Sequence, residues 1–436
     1  MSFSKTAIIG LGKTGLSCAY FLAARHIPFL VIDSRENPPE LKIFQSEFPH
    51  VDIYLSSFFP DILQSVDRII LSPGVSPQEP AIAAQIQRRV PVIGDIELFA
   101  QSVTSPVVAI TGTNGKSTVT TLVGLMATAA GFNVGVGGNL GMPALNLITE
   151  PEPDLYVLEL SSFQLATTYS LKPKAAVMLN FSPDHLDRYH EVEQYLQDKQ
   201  KIYAGCEVAV VNGHQPEIWV TLLESQRQKN IKKIVDFMQI ELPLPLSELK
   251  IKGLHNIDNA KAAVALGRAM GFSEKAMASV LKTFTGLPHR SQTVATVNGI
   301  TWVNDSKGTN VGASVAAITG LGETLSGKKL ILIAGGQSKG QTFEKLNEAV
   351  KKYVRQVILI GEAADQIAAI LSETSVLRAL SLEQAVSLAH SVAEKGDVVL
   401  LSPACSSFDM FNNFEHRGAM FETIVKQKIQ EKIGNA

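Results

Sequence analysis

A glycine-rich segment in the first third of the chain is the clearest chemical feature of the sequence. Residues 112–118 read Gly-Thr-Asn-Gly-Lys-Ser-Thr, and the apolar residues 106–110 before them predict a buried strand. A helix is predicted directly after them, so the N–H groups of the turn and the positive end of the helix dipole face an anion. Lys116 adds a positive charge, and the hydroxyl group of Ser117 or Thr118 could hold Mg²⁺. The segment predicts a site for nucleotide phosphates; it is shorter than the common P-loop, and an ordinary turn is the alternative.

Another glycine motif lies near the N-terminus. Gly10, Gly12 and Gly15 separate two apolar stretches, and Asp33 follows the next predicted strand, over residues 28–32. This spacing is typical of dinucleotide sites, in which the acidic residue binds a ribose. The residues alone leave two alternatives, a nicotinamide cofactor or another nucleotide diphosphate, because the glycines allow close backbone approach but supply no redox chemistry.

Two predicted strands in the middle of the chain also end in polar groups. Glu159 ends an apolar strand and is interpreted either as a Mg²⁺ ligand or as a cap for the next helix. Residues 180–189 place His185 near two aspartates, which favours a site over a core position. Lys199 lies in a predicted helix over residues 191–204, where the residues alone predict one solvated lysine among several.

Three polar loops follow predicted strands in the last third of the chain, at residues 304–310, 335–340 and 402–409. Strands alternate with helical segments there, which predicts an open and largely parallel sheet. Such sheets bind ligands at the carboxyl ends of their strands. Since Lys307 and Lys339 lie in two of these loops, we expect the loops to hold a small anion.

Composition limits the class of protein. The chain has 436 residues, which suggests roughly three domains. It is 45% hydrophobic and 18% charged with a formal net charge of -2, so neither nucleic acid nor an anionic membrane surface is an expected partner. Three cysteines lie far apart, which fits neither disulfides nor a zinc site and indicates a reducing cytosol. No apolar stretch approaches the ~20 residues that span a bilayer, and the N-terminus lacks the pattern of a secretory signal.

The combination of these features predicts a particular kind of chemistry. A phosphate site with candidate Mg²⁺ ligands implies ATP, the glycine motif implies a nucleotide-like group, and the cationic loops imply an acidic substrate. Asn256 and Asn259, at the start of an alanine-rich helix, could cap that helix or bind an adenine edge. We therefore expect ATP-dependent activation of a carboxylate.

Several motifs, in order, resemble the Mur ligases of peptidoglycan synthesis. They lie at residues 112–118, 159–164, 180–188, 253–259, 288–290 and 304–310. The closing segment, residues 401–418, is similar to the members of the family that add D-glutamate. The resemblance covers essentially the full length of the chain.

The resemblance implies an α/β protein of three domains. A Rossmann-like N-terminal domain over residues 1–94 is expected to bind the UDP group of the substrate, which replaces the nicotinamide interpretation of the glycine motif. A central P-loop ATPase-like α/β domain over 95–286 is expected to bind ATP. A C-terminal Rossmann-like α/β domain over 287–436 is expected to bind the incoming amino acid.

The implied reaction is the ATP-dependent joining of D-glutamate to UDP-N-acetylmuramoyl-L-alanine through an acyl phosphate. The resemblance also implies two Mg²⁺ ions, a cytoplasmic location, a monomer, and only small molecules as partners. The resemblance also changes the interpretation of Lys199, because the family has a lysine at this spacing that CO₂ converts to a carbamate. A carbamate offers anionic oxygen ligands to Mg²⁺, which an ammonium group cannot do.

The resemblance assigns a role to each candidate site residue. The expected ATP contacts are Gly112, Thr113, Asn114, Gly115, Lys116, Ser117, Thr118, Asn256, Arg290 and Asp305. The expected contacts of the UDP-sugar are Lys13, Thr14, Asp33, Ser34, Arg35, Gly74 and Asn139. Those of D-glutamate are Lys307, Thr309, Lys339, Ser407, Phe408 and Phe414. The expected metal ligands are Ser117 or Thr118, Glu159, His185 and carbamylated Lys199, and the catalytic residues are Lys116, His185 and Lys199.

Four other functions are weighed against this one. A ligase that adds a different amino acid should differ in the loops of Lys307, Lys339 and Ser407. A folylpolyglutamate-type ligase shares the phosphate loop but is not expected to have the UDP-binding first domain. The others are a nicotinamide oxidoreductase and an ATP-dependent switch protein, which would hydrolyse ATP slowly without an acceptor amine.

Overall fold

A computed structural model describes residues 5–184, 188–189, 191–215, 217–218, 231–251, 253–327, 329–371 and 373–433. By internal contacts the chain divides into two units. Unit 1 comprises Met1–Phe181, Glu193–Leu244 and Ala260–Val280. Unit 2 comprises Ser182–Val192, Pro245–Asn259 and Leu281–Ala436.

Unit 1 begins with a five-stranded parallel sheet in the order β3-β2-β1-β4-β5. Its strands are β1 (Thr6–Ile9), β2 (Phe29–Asp33), β3 (Ile53–Leu55), β4 (Arg68–Leu71) and β5 (Val92–Ile93). The helices between them are α1 (Lys13–Ala24), α2 (Leu41–Glu47), α3 (Pro60–Leu63) and α4 (Pro80–Gln87). The turn from β1 to α1 is tight, because a Cβ atom at Gly15 would lie 2.0 Å from the carbonyl O of Gly10. Only glycine allows this approach of helix and strand.

A six-stranded parallel sheet follows in unit 1, in the order β11-β10-β9-β6-β8-β7. Its strands are β6 (Val107–Thr111), β7 (Val134–Gly138), β8 (Leu155–Glu159), β9 (Ala175–Met178), β10 (Val208–Val211) and β11 (Lys233–Asp236). The helices of this part of the chain are α5 (Asp95–Ala100), α6 (Lys116–Ala129), α7 (Ser162–Ala166), α8 (Val192–Gln200), α9 (Leu254–Ala269) and α10 (Glu274–Thr283). The strand that precedes the phosphate loop, β6, lies between β9 and β8, so all three end at the same edge.

The edge strand of this sheet, β11, pairs with β10 in a parallel register. The strand is short and only partly buried, so it lacks the continuous apolar run that marks the central strands.

The two sheets of unit 1 share a hydrophobic core. Buried residues of the first sheet, such as Ile8 and Val31, belong to the same cluster as Ala109 and Leu158 of the second. Helix α5 lies in this cluster through Phe99. The nucleotide-type motif and the phosphate loop are therefore held within one packed body.

Unit 2 contains a third sheet, in the order β12-β13-β17-β14-β15-β16. Its strands are β12 (Gln292–Val297), β13 (Ile300–Asn304), β14 (Leu330–Gly335), β15 (Val354–Ile360), β16 (Ser375–Arg378) and β17 (Val398–Leu401). Its helices are α11 (Val311–Gly322), α12 (Glu344–Tyr353), α13 (Ala364–Ile370), α14 (Leu382–Val392) and α15 (Phe414–Ile433). All its strand pairs are parallel except the hairpin of β12 and β13. The prediction of a largely parallel sheet is confirmed.

The three polar loops predicted to hold an anion follow β13, β14 and β17. These strands are neighbours, with β17 in the middle and parallel to both others. The loops therefore begin at one edge of one sheet, as expected. Among the described residues, no helix is both long enough and apolar enough to cross a membrane.

Candidate active site

The phosphate loop joins β6 to α6. Gly115 has a φ of +83° and precedes the first residue of the helix, a left-handed conformation that glycine adopts without strain. The helix begins at Lys116, three residues earlier than predicted, so its first turn contains Ser117 and Thr118. Both hydroxyl residues are buried. The positive end of the α6 dipole thus faces the loop.

The loop is held from two sides. The Nζ of Lys116 donates to the carbonyl O atoms of Gly112 and Thr113, each at 2.8 Å. On the other side Asn180, just beyond β9, accepts from the N–H of Asn114 at 2.8 Å through Oδ1. Its carbonyl O accepts from the N–H of Thr113 at 3.0 Å. These hydrogen bonds connect the loop to itself and to the end of the neighbouring strand, β9.

Glu159 is the last residue of β8, at the same sheet edge as the loop, and it is buried. Its Oε1 accepts from the Nδ2 of Asn139 at 2.7 Å. A candidate metal ligand and a candidate UDP-sugar contact are therefore in direct contact. The alternative interpretation of Glu159 as a helix cap is wrong, because Ser161 caps α7 in a reciprocal arrangement with Gln164.

Lys199 is buried, with 2% of its surface exposed, so the expectation of a solvated lysine is wrong. Its Nζ donates to the carbonyl O of Gly112 at 2.9 Å and lies 4.7 Å from the ring centroid of Tyr195. The hydroxyl group of Tyr195 is 3.3 Å from the Oγ1 of Thr113. Helix α8 thus brings two side chains, one turn apart, onto the phosphate loop. His185 lies outside the described residues.

Asp33 ends β2 and is 2% exposed. Its Oδ1 accepts from the N–H and Nε of Arg35 at 2.9 and 2.8 Å. Its Oδ2 accepts from the N–H of Leu11 at 2.7 Å and from the Nη2 of Arg35 at 2.6 Å. Burial alone would raise the pKa of Asp33, but the hydrogen bonds from Arg35 and Leu11 lower it overall.

The other candidate UDP-sugar contacts of the first sheet also follow the ends of its strands. Lys13 and Thr14 form the first turn of α1, directly after the glycine turn. Ser34 follows β2 and is exposed, as is Gly74 in the loop after β4. All of them follow the carboxyl ends of β1, β2 and β4, which are adjacent strands. This is the edge at which a doubly wound sheet binds its ligand.

In unit 2, Asp305 follows β13 and is buried. Its Oδ2 accepts from the Oγ of Ser402 at 2.7 Å, and its Oδ1 accepts from the N–H of Ser291 at 3.0 Å. Burial raises the pKa of Asp305 to about 6, although these bonds and the charge of Arg290 oppose the shift. Two candidate ATP contacts, Arg290 and Asp305, are therefore electrostatically coupled.

Helix starts in unit 2 supply further polar groups. Asn256 lies in the first turn of α9 and its Oδ1 accepts from the Nδ2 of Asn259 at 3.3 Å. Asn310 caps α11, because its Oδ1 accepts from the N–H of Ala313 at 2.8 Å. The Nδ2 of Asn310 donates to Asp184 at 2.9 Å. The segment that precedes His185 is thus attached to the cap of α11.

The candidate D-glutamate contacts pair lysines with aromatic rings. The Nζ of Lys307 lies 4.0 Å from the ring centroid of Phe414, and that of Lys339 lies 5.6 Å from the ring centroid of Phe408. Phe408 is unusual for a large apolar side chain, since 63% of its surface is exposed. These contacts hold two ammonium groups beside aromatic faces at the ligand edge of the third sheet.

The three loops of this edge are tied together. The N–H of Gln337 donates to the carbonyl O of Ser406 at 3.0 Å, and the N–H of Ser406 donates back to Gln337 at 3.0 Å. Ser407 follows in the chain and is buried. In the loop after β13, the N–H of Thr309 donates to the carbonyl O of Lys307 at 2.7 Å. The site residues thus lie on loops of defined shape.

Sequence reasoning assigned no role to Asn180 or Tyr195, although both hold the phosphate loop. The signal for Asn180 was present, because it directly follows a strand that neighbours the loop. The signal for Tyr195 was its spacing of four residues from Lys199. Neither could be interpreted without knowing that β9 and α8 pack beside the loop.

Family models match three consecutive parts of the chain. They are a Mur ligase MurD-like N-terminal domain over residues 4–94, a Mur ligase middle domain over 110–267, and a Mur ligase glutamate ligase domain over 289–405. These three ranges follow the three sheets in order, although β6 (Val107–Thr111) begins before the second range. The chain is therefore similar to one family along its length.

Two curated relatives carry the name UDP-N-acetylmuramoylalanine--D-glutamate ligase. The protein of Coxiella burnetii (strain Dugway 5J108-111) is 50% identical, with 98% of this chain and 99% of the relative covered. That of Legionella pneumophila (strain Lens) is 46% identical, with 98% and 100% covered. Among solved structures, the MurF ligase of Thermotoga maritima in complex with ADP has a TM-score of 0.60 at 16% identity, covering 97% of this chain and 95% of that one. That structural likeness bears on the fold alone.

Proposed function

Because the chain belongs to the Mur ligase family and has its three-domain α/β architecture, we propose that it joins D-glutamate to UDP-N-acetylmuramoyl-L-alanine at the expense of ATP. The product is a precursor of peptidoglycan. The proposal is supported by full-length relatives that carry this activity in their names. It is also supported by loops of Lys307, Lys339 and Ser407 that would suit an acidic amino acid.

The observation that carries the proposal is the convergence of functional groups on the phosphate loop. The amines of Lys116 and Lys199 both donate to the carbonyl O of Gly112. Glu159 ends the adjacent strand β8, and Ser117 begins the helix that faces the loop. The amine of Lys116 and a helix N-terminus suit the β- and γ-phosphates of ATP.

The proposed reaction overcomes the poor reactivity of a carboxylate. The L-alanyl carboxylate forms a bond to the γ-phosphorus of ATP, the bond to ADP breaks, and an acyl phosphate results. The amine of D-glutamate then attacks the acyl carbon and loses a proton, and the tetrahedral intermediate expels phosphate. The chain's main task is to hold the reactants in line and to stabilise the charge that develops. Lys116 serves the transferred phosphoryl group.

The donor set beside the loop fits a hard divalent cation. A hydroxyl group at a helix N-terminus and a carboxylate at a neighbouring strand end are oxygen ligands of the kind that Mg²⁺ prefers. Ser117 or Thr118 would hold one ion together with Glu159, while His185 would serve a second ion or the acyl phosphate. Bound Mg²⁺ would neutralise charge on the phosphates. Asn139 orients Glu159 for this role through its hydrogen bond to Oε1.

Lys199 fits a modified ligand better than a free ammonium group. Its amine is buried beside the phosphate loop, where an anionic oxygen ligand would serve Mg²⁺ and a free ammonium group would not. In the reaction of the neutral amine with CO₂ a C–N bond forms and one proton leaves, which gives a carbamate with anionic oxygen atoms. We propose that carbamylated Lys199 supplies a ligand for the second Mg²⁺ beside the phosphate loop.

The remaining assignments follow the same proposal. Asn256, Arg290 and Asp305 contact ATP together with the loop residues 112–118. Thr309, Ser407 and the two lysine–phenylalanine pairs, Lys307 with Phe414 and Lys339 with Phe408, bind D-glutamate. The UDP-sugar is bound by Lys13, Thr14, Asp33, Ser34, Arg35, Gly74 and Asn139.

The organisation of the protein is part of the proposal. We place the domain boundaries at residues 94/95 and 286/287, close to the limits of the three matched family models. The substrates and ATP are small molecules of the cytoplasm, where we propose that the protein acts as a monomer.

Phosphate release tests the function. It is measured with ATP, Mg²⁺ and UDP-N-acetylmuramoyl-L-alanine, and D-glutamate, L-glutamate, D-aspartate and meso-diaminopimelate are compared as acceptors. We expect release that depends on D-glutamate, with the amide product identified by mass. Weak turnover of D-aspartate is compatible with the proposal, because one methylene group is worth only about 1–3 kcal/mol.

Other outcomes would change the assignment. Release that depends on another acceptor would make the chain a ligase for that amino acid. Release without any acceptor would favour a nucleotide-hydrolysing switch, and NADH oxidation with candidate substrates would favour an oxidoreductase.

A further inference from the structure

Arg417, in the first turn of α15, is buried completely beneath the ligand edge of the third sheet. It is among the largest side chains with no exposed surface. Its Nε donates to the Oγ of Ser306 at 3.0 Å, and its Nη2 donates to the carbonyl O of Ser306 at 2.8 Å. Ser306 in turn donates through Oγ to the carbonyl O of Phe414 at 2.8 Å. One guanidinium thus holds the loop that follows β13 and the start of α15.

The same guanidinium holds a second loop. Nη1 and Nη2 donate to the carbonyl O of Cys405 at 3.3 and 3.2 Å, and Nη1 donates to that of Ser406 at 3.4 Å. Ser406 pairs with Gln337, which belongs to the third loop. Arg417 is therefore bonded to two loops directly and is connected to the third through one residue.

The residues held by Arg417 precede candidate D-glutamate contacts in the chain. Ser306 precedes Lys307, and Ser406 precedes Ser407. A planar fork of N–H donors fixes the distance and the angle between its acceptors, which a lysine cannot do. One side chain beneath the two loops, that of Arg417, thus fixes the distance between Lys307 and Ser407.

The charge of Arg417 is also notable. Its hydrogen-bond partners are carbonyl and hydroxyl oxygens, and within the described part of the chain it forms no ion pair. Burial lowers the pKa of Arg417 to about 10, with partial opposition from electrostatic interactions with Cys405, Asp409 and Asp305. The group remains a cation at neutral pH. Buried charges in proteins are normally paired, because an unpaired one is costly.

We propose that Arg417 is the positioning residue of the acceptor site, and that the carboxylates of the bound amino acid balance its charge. This inference rests on the proposed function. Arg417 does not touch the acceptor. It fixes the two loops whose side chains do, and it raises the electrostatic potential where an anion binds. An acceptor with two carboxylates gains more from that potential than one with a single carboxylate.

The test uses the full chain with Arg417→Lys, which keeps the charge, and Arg417→Met, which removes it. The matched control is Arg378→Met on the same sheet, since Arg378 is exposed and pairs with the exposed Asp365. Three quantities are measured: the KM values of all three substrates, the acyl phosphate formed without acceptor, and the ratio of kcat/KM for D-glutamate over D-glutamine. Circular dichroism and thermal unfolding verify the fold of each variant.

We expect both Arg417 variants to raise the KM for D-glutamate by about 10- to 100-fold, the usual effect of losing a charged hydrogen bond. The KM values for ATP and the UDP-sugar, and the acyl phosphate formed, should change by less than about threefold. The preference for D-glutamate over D-glutamine should fall in Arg417→Met and be partly kept in Arg417→Lys. The control should behave as the unaltered protein.

Two results would overturn the inference. Equal losses for D-glutamate and D-glutamine, together with a raised KM for ATP, would assign Arg417 to general support of the fold. An unchanged KM for D-glutamate would remove it from the site. If the Arg417 variants do not fold, Ser306→Ala removes the Nε acceptor more gently, and it should raise the same KM severalfold; no rise would also overturn the inference. Failure of the proposed function is distinct, because the unaltered protein would then show no phosphate release that depends on D-glutamate.

Discussion

Asp33 and Arg35 form an ion pair in which hydrogen-bond donors occupy the acceptor positions of the carboxylate. Three N–H groups of Arg35 and one of Leu11 bind its two oxygens, which offer about four acceptor positions. A ribose hydroxyl could bind Asp33 only by displacing one of these donors. We therefore propose that Asp33 serves the UDP-substrate mainly by fixing the orientation of Arg35, whose side chain is half exposed.

Asp33→Asn should weaken the binding of the UDP-substrate. The amide cannot accept from both Arg35 and Leu11 as a carboxylate does, so Arg35 loses its fixed orientation. We expect the KM for UDP-N-acetylmuramoyl-L-alanine to rise about 10-fold, with the KM for ATP unchanged. Initial rates at varied substrate concentrations provide the measurement. Asp52→Asn, at an exposed position of the same domain, is the control. A raised KM for ATP as well would point to general loosening of the domain.

Lys116→Met should abolish acyl phosphate formation. The variant keeps the length and apolar stem of the side chain but removes the amine that lies against Gly112 and Thr113. We expect a loss of about 10²-fold or more in turnover, comparable to the loss of one electrostatic donor in other active sites. Hydroxylamine trapping of the acyl phosphate provides the measurement. Lys232→Met, at an exposed lysine of unit 1, should be fully active. Normal trapping in Lys116→Met would exclude this lysine from phosphoryl transfer.

Lys199→Ala should be nearly inactive and should regain part of its activity when short-chain carboxylates are added. A small carboxylate can occupy the place of a carbamate, whereas it cannot replace an ammonium group. Carbon-13 NMR of the unaltered protein with labelled CO₂ should show a carbamate signal that is absent in the variant. Lys201→Ala is the matched control, since Lys201 lies two residues away and is more exposed. No signal and no rescue would leave Lys199 as an unmodified amine.

Asp95→Asn should stabilise the protein at neutral pH. Asp95 is buried beside Gln164, and burial raises the pKa of its carboxyl group to about 6, well above the ordinary value of an aspartate. The folded state therefore binds this proton more tightly than the unfolded chain, so stability at this site is greatest at low pH and is lost as pH rises from about 4 to about 6. The amide resembles the protonated acid. We expect a gain of up to about 3 kcal/mol above pH 6 that vanishes near pH 4.

The free energy of unfolding in urea is compared between Asp95→Asn and the unaltered protein at matched pH values. The difference between the two cancels the effects of other titratable groups. Asp61→Asn, at an exposed position of α3, is the matched control. A constant difference from pH 4 to pH 8 would show that Asp95 titrates normally in the folded state.

The sequence predicted local features of the site well. The turn from β6 to α6 requires Gly115 and places Lys116 at a helix start, and both requirements are local. The same holds for the glycine turn before α1. The polar loops after β13, β14 and β17 were predicted because each strand is a continuous apolar run with a clear end.

Features that depend on packing between distant segments were not predictable. Lys199 resembles a solvated lysine in sequence, and only the packing of α8 against the phosphate loop makes it buried. The spacing of Asp33 in the glycine motif does not reveal that Arg35 folds back onto its carboxylate. Arg417 belongs to a recognised motif, but its burial beneath two loops more than 10 and 110 residues away depends on the strand order of the third sheet.

The hydrogen bond between Asp184 and Asn310 matters for any attempt to express the protein in pieces. By sequence, Asp184 lies in the central domain, yet Ser182–Val192 and Pro245–Asn259 group with the third sheet by contacts. A fragment that begins at residue 287 would therefore leave out two segments of its own structural unit, including the partner of the α11 cap. An isolated acceptor domain would therefore need these two segments joined to the chain from residue 281 onwards.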